Sequence, residues 1–303
     1  MIVVVSDVHL GYDQSDQNSF NNFIDSELTK LNMNDHLVLL GDVLDFWRKN
    51  CVDATVEYET DTSKSIVKST NNEGIIMKKL YELQKKTKVN YIIGNHDYSI
   101  LYFSKRADNP SFHFPFPVSR NLHLSVEGSD KKFFFIHGYE FEVLANFPFL
   151  TIEEYEKICQ HLCDVRETTI GRIESTLWSA LHLQFASKKV EEHITIAQSL
   201  RKPPEQRWNI HTDTTIPPKE AVPPLLQPRN KIEELAMSPL ARSIFIGGET
   251  DEAIIFGHTH SPFITRDKTV ANSGSWVKDN NFHNTYVTID DNGIMNLHWY
   301  PYY

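Results

Sequence analysis

Five short polar stretches, each following directly on an apolar run, constrain this chain more than any other feature. They are Ser6-Asp7-Val8-His9 after Ile2 to Val5, Gly41-Asp42-Val43-Leu44-Asp45 after Leu37 to Leu40, and Gly94-Asn95-His96-Asp97 after Tyr91 to Ile93. The fourth is His137-Gly138 after Phe133 to Ile136, and the fifth is Gly257-His258-Thr259-His260 after Ala253 to Phe256. Apolar runs this short, rich in Val, Ile and Phe and halted by Gly or polar residues, read as buried strands. In open sheets, ligand crevices form past the carboxyl ends of strands. Five such ends carrying Asp, Asn or His therefore describe a site.

Between the first two strands, Phe20, Phe23, Ile24, Leu28 and Leu31 recur at helical spacing, predicting a crossover helix over 17–31. A β-α-β order of this kind implies parallel pairing in an α/β or α+β core. With a strand period of two, Asp7 and His9 would project to one side. Residues 46–73, with Trp47, read as a polar surface stretch, and Ile75 to Leu83 as a second amphipathic helix closed by lysines. Residues 107–121 set prolines among Phe112, Phe114 and Phe116, a rigid loop serving as core cover or cleft wall. Leu122 to Val126 and Phe133 to Ile136 read as a hairpin. Later strands, Phe263 to Thr265, Thr269 to Ala271, Tyr286 to Ile289 and Ile294 to Trp299, look antiparallel, with a turn at 290–293.

Composition changes in the middle of the chain. From about 150 to 200 the apolar spacing is helical, and residues 203–239 hold eight of the fourteen prolines. Paired prolines resist helix and sheet alike. Because site-bearing strands lie on both sides, 141–249 is expected as a helical and Pro-rich cap inserted into one catalytic core formed by 1–140 and 250–303. The expected fold class is thus α/β (α+β), a mixed β-sandwich flanked by helices.

A formal net charge of −10 argues against nucleic acid or an anionic membrane as an obligatory partner. Three cysteines, Cys51, Cys159 and Cys163, show no CxxC spacing and read as packing residues of a reduced protein. No apolar stretch approaches the roughly 18–20 residues that span a bilayer, and no secretory segment precedes Asp7, so a cytoplasmic location is expected. The oligomeric state is not legible.

Together the five stretches offer Asp7, His9, Asp42, Asn95, His96, His137, His258 and His260. This N/O set without thiolate suits Mn²⁺, Fe, Zn²⁺, Ni²⁺ or Co²⁺, and argues against structural zinc and Ca²⁺. It is too large for one ion and right for two, provided one carboxylate bridges. Two ions about 3.5–4 Å apart clamp the attacking and leaving oxygens of an in-line displacement. The glycines beside the ligands permit sharp turns and close backbone approach. Asp45 reads as supporting rather than ligating, and Asn272-Ser273-Gly274-Ser275 as a turn beneath the site.

In this order, DxH, GDxxD, GNHD, HG and GHTH resemble the motifs of the calcineurin-like metallophosphoesterases. The resemblance covers about 1–140 and 250–303. It implies one metal held by Asp7, His9, Asp42 and His260, and a second by Asp42, Asn95, His137 and His258, with Asp42 bridging and Mn²⁺ the leading expectation. It further implies His96 as the catalytic residue that faces the phosphate or protonates the leaving oxygen, with Asp97 orienting its ring. The substrate class implied is a small phosphorylated molecule, cleaved at a phosphodiester or phosphomonoester. The insertion after His137 and the Asn-Ser-Gly-Ser-Trp at 272–276 also look like the UDP-2,3-diacylglucosamine hydrolase branch, which gives the alternative of a pyrophosphate substrate. That branch usually carries Arg where this chain has His96, and an acidic residue where it has Tyr139. A nuclease fits the acidic charge poorly, and a non-catalytic scaffold would be expected to lack ligands.

Overall fold

In a computed structural model, the chain is described over residues 1–49, 57–59, 65–67, 72–103, 114, 116–126, 129–165, 231–279 and 282–301. Strands β1 (Ile2–Val5) and β2 (His36–Leu40) flank helix α1 (Gln17–Ser26) and pair in parallel, Val3 opposite Leu37. A short hairpin, β3 (Glu57–Glu59) and β4 (Ser65–Val67), precedes helix α2 (Asn72–Leu83), which leads into β5 (Lys88–Ile92). Helix α3 (Ile100–Phe103) and β6 (Val118–Ser119) follow. Then come the antiparallel pair β7 (Asn121–Ser125) and β8 (Lys132–Ile136) and helices α4 (Tyr139–Asn146) and α5 (Ile152–Val165). Helices α6 (Lys231–Met237) and α7 (Pro239–Ile246) return the chain to β9 (Ala253–Phe256). It closes with β10 (Phe263–Ile264), β11 (Val270–Asn272), β12 (Thr285–Ile289) and β13 (Met295–Trp299).

The strands form two stacked sheets, β13-β12-β1-β2-β5-β6 and β10-β11-β9-β8-β7. Alternation along each strand separates three apolar layers. Ile2, Val4, Val38, Leu40, Phe133, Phe135 and Ile255 meet between the sheets. Val3, Val5, Leu37 and Leu39 face α1 and α2 through Phe20, Phe23, Ile76 and Leu80. On the opposite side Phe134, Ile136, Ile254 and Phe256 pack with Phe141, Ala236 and Ile246 of α4, α6 and α7. Burial on both faces is why the strands read as unbroken apolar runs rather than alternating ones. The sandwich flanked by helices is therefore the fold, and β1, β2 and β5 run parallel with their carboxyl ends together.

Four expectations need correction. The helix predicted over 17–31 ends at Ser26, and Leu28–Lys30 continues as a 3₁₀ turn. Asp7 and His9 do not continue the extended strand, since both have left-handed φ, 52° and 50°. Trp47 is not at the surface but 5% exposed. The closing strands are not uniformly antiparallel, because β11 pairs in parallel with β9 after the chain passes through β10.

Phe114 and Phe116 cover Tyr91 in the core, whereas Phe112 lies outside the described residues. So do residues 166–230, which contain most of the expected cap and its paired prolines. The described parts of 141–249 pack tightly: Tyr155, Cys159, Leu162 and Cys163 of α5 join the cluster that holds Phe20 and Leu80. Both of these cysteines are buried and neither forms a disulfide.

Candidate metal centre

The carboxyl ends of β1, β2, β5, β8 and β9 converge. Ligand atoms of Asp7, His9 and His260 lie within 4.8 Å of one another, and those of Asp42, His137 and His258 form a second such cluster. Asp42 stands between them, its Oδ2 3.7 Å from Nε2 of His9 and 3.2 Å from Nε2 of His137. Oδ1 of Asp7 lies 3.3 Å from Nε2 of His260 and 3.9 Å from Nε2 of both His9 and His137. Asn95 is 3% exposed.

Backbone conformation puts these side chains there. Asp7, His9, Asp42, His258 and His260 all adopt φ between 50° and 65°, a region that costs a non-glycine residue on the order of 1 kcal/mol or more. Hydrogen bonds hold the turns in place: Asp7 N–H donates to Gly41 O at 3.0 Å, and His9 N–H to Asp42 O at 2.8 Å. The carboxylates tie one turn to the next, Asp42 Oδ1 accepting from His96 N–H at 2.8 Å and Asp7 Oδ2 from His258 N–H at 2.9 Å. Close approach requires two of the glycines. A Cβ at Gly94 would fall on Asp42, and one at Gly257 on Asp7 and Ser6. Beneath them Ser6 Oγ bonds Ser273 Oγ at 2.7 Å and donates to Gly274 O at 2.9 Å. The 272–275 turn is thus the buried support of the site.

Each imidazole has one nitrogen engaged by an oxygen of the protein, which leaves the other toward the centre. His137 Nδ1 lies 2.9 Å from Leu40 O, His9 Nδ1 3.0 Å from Asp45 Oδ2, and His258 Nε2 2.8 Å from Glu142 Oε2. Nδ1 of His260 contacts the Asp279 carboxylate. Partners of this kind fix the tautomer and orientation of a metal-binding histidine. Four inward-facing atoms, Asp7 Oδ1, His9 Nε2, Asn95 Oδ1 and His137 Nε2, are buried without any hydrogen-bond partner. An orphaned buried polar atom costs about 1–3 kcal/mol, so four at the converging strand ends fit cations that would satisfy them. The oxygen and nitrogen donors, with no thiolate, suit divalent transition metals.

Charge follows the same logic. Burial opposes ionisation of Asp42, yet His137, His96 and His9 hold it far below the usual carboxylate range. Burial likewise opposes charge on His137, but Asp42 and Asp7 outweigh it and raise its pKa to about 10. His260 rises to about 10 as well, burial being overcome by Asp279 and Asp7.

His96 is joined to this cluster by Asp45, whose Oδ1 lies 3.1 Å from His96 Nδ1. His9, Asp45 and His96 form a third cluster. It shares His9 through the nitrogen that faces Asp45, so it orients side chains rather than adding an ion site. Asp97 does not orient the ring. Its Oδ2 accepts from Tyr91 O–H at 2.6 Å and Val43 N–H at 3.0 Å, and its Oδ1 from Gly94 N–H at 2.6 Å. It clamps the glycine turn instead. The sequence did not point to Trp47, stacked on His96 with centroids 4.0 Å apart, or to Arg48, Glu142 and Asp279. For Trp47 and Arg48 the only signal was their place just after Asp45.

A family model described as calcineurin-like phosphoesterase matches residues 1–262, a span that contains all five polar stretches. No curated protein matches the chain significantly. Among the described residues, no helix is long and apolar enough to cross a membrane.

Proposed function

The chain belongs to the calcineurin-like phosphoesterase family, and from that premise we propose that it hydrolyses a phosphodiester or phosphomonoester with a pair of divalent metal ions. The position of Asp42 carries this reading, because one carboxylate oxygen lies 3.7 Å from a ligand atom of one cluster and 3.2 Å from that of the other. Asp7, His9, Asp42 and His260 would hold one ion, and Asp42, Asn95, His137 and His258 the other, with Mn²⁺ the leading candidate. When bound, such a pair supplies Lewis acidity at a phosphoryl oxygen and acidifies an attacking water.

The remaining work falls to His96. Asp45 engages Nδ1, so Nε2 is the nitrogen that exchanges a proton with the leaving oxygen. Burial lowers the pKa of His96, although Asp45 and Asp42 pull it up. A general acid works best when its pKa lies near the working pH. Trp47 shields one face of the ring from water. Residues 141–249 would cap the cleft and limit which esters enter.

The test is hydrolysis of bis-p-nitrophenyl phosphate and p-nitrophenyl phosphate by the Mn²⁺-loaded full chain. Turnover of either that is lost to chelator and restored by metal supports the reading. Stoichiometric metal with no turnover of either ester overturns it.

A further inference from the structure

A cavity of about 510 Å³ adjoins the metal centre, and three of its lining residues make the connection. Arg48 Nη1 lies 3.3 Å from His96 Nδ1 and contacts the Asp45 carboxylate. The Tyr12 ring is 6.4 Å from that of His9, and the Arg48 guanidinium sits over it at 4.1 Å. Lys278 directly precedes Asp279, the residue that holds His260.

The chemistry of the walls restricts what fits. Lys49 pairs with Glu73 at 2.6 Å, and Lys278 with Asp16 at 3.2 Å, so two of the three lining cations are matched by lining carboxylates, and Arg48 is matched by Asp45 behind the wall. A bare polyanion would want cations free of such partners, and an acyl chain would want apolar walls. A hydroxyl both donates and accepts, so it can bond to either member of an ion pair without displacing it.

We propose that this cavity binds the sugar portion, a polyhydroxylated ring, of the phosphate ester cleaved at the metal centre, with Arg48 at the junction between ring and phosphoryl group. This rests on the phosphoesterase reading and narrows its substrate class to hydrophilic sugar phosphates.

The experiment measures competitive inhibition of p-nitrophenyl phosphate hydrolysis by ribose 5-phosphate and by inorganic phosphate, using the Mn²⁺-loaded full chain. Two or three added hydrogen bonds should make the sugar phosphate about tenfold the tighter inhibitor. Asn18 is an exposed second residue of α1 on the cavity wall. Asn18→Trp should fill the space and bring the ratio of the two inhibition constants toward one, and Asp13→Ala, which removes a wall carboxylate, should lower it. Thermal melts identify a variant that fails to fold, in which case the other decides. Equal inhibition by the two ligands, or a ratio unmoved in folded variants, overturns the sugar site. Absence of hydrolysis of both this ester and bis-p-nitrophenyl phosphate would strike the phosphoesterase reading instead, and calorimetric titration with the same two ligands then tests the cavity by itself.

Discussion

Asp45 shares its carboxylate between two histidines, Oδ1 lying 3.1 Å from His96 Nδ1 and Oδ2 3.0 Å from His9 Nδ1. His9 also lies in the cluster with Asp7 and His260, whereas His96 lies only in the one with His9 and Asp45. A single buried side chain thus sets the distance between the proposed ion site and the proposed proton donor. His96→Ala should retain metal and lose about 10²–10⁴-fold in kcat on an alkyl phosphate, the usual worth of a general acid. On p-nitrophenyl phosphate, whose leaving group departs without a proton, the loss should be much smaller. Steady-state kinetics on both esters, alongside metal analysis, checks this. Full activity on the alkyl ester would remove His96 from the reaction.

Metal uptake should release protons. In the metal-free protein His137 and His260 both have pKa values of about 10, so both rings are cationic at neutral pH. A ligating imidazole must be neutral, so loading expels up to one proton from each. The sign follows: affinity for Mn²⁺ rises with pH through the neutral range and levels off once pH passes the raised pKa values. Calorimetric titration in buffers of different ionisation heat reads the number directly. Heats independent of buffer would show that these rings do not ligate.

The strands, the sandwich and the gathering of Asp and His side chains at strand ends were legible because each of β1, β2, β8 and β9 is largely buried on both faces and runs into Ser, Gly or His, a pattern the chain displays locally. The supports of those side chains were not. Glu142 reaches His258 across 116 residues. Asp279 reaches His260 from an irregular segment with no periodic signature. The family resemblance gave Asp97 the orienting of His96, whereas the turn aims its carboxylate at Gly94 N–H and Tyr91 O–H. Trp47 was misplaced because a lone aromatic in a polar stretch carries no period, and only the assembled fold supplies His96 as its stacking partner.

Gly94 tests how tightly backbone and ligand are packed. A methyl there would overlap Asp42 Oδ1 and come within 2.6 Å of Asp42 N. Relief requires moving the proposed bridging carboxylate or the turn, at a cost of about 1–3 kcal/mol typical of overpacking. Gly94→Ala should therefore fold with reduced stability and bind fewer than two equivalents of Mn²⁺ under conditions that saturate the parent chain. Unchanged stoichiometry by metal analysis would mean that Asp42 does not bridge.

Glu156 fastens α5 to the sheet that carries the site. Its carboxylate accepts from Arg120 Nε at 2.8 Å, Arg120 Nη2 at 3.0 Å and Tyr139 O–H at 2.8 Å. Burial would raise its pKa, but Arg120, Tyr98 and Tyr139 outweigh burial and hold it below the usual carboxylate range. A depressed folded-state pKa contributes stability that is present above the unfolded value and lost as pH falls through the folded one. Arg120 is 46% exposed, so solvent screening limits the pair to about 1 kcal/mol. Glu156→Gln should accordingly be less stable than the parent at pH 7, and the gap should close in acid, below the range in which an unfolded glutamate titrates. Urea unfolding at both pH values measures the two differences. A gap that persists undiminished in acid would assign the loss to packing rather than to the charged pair.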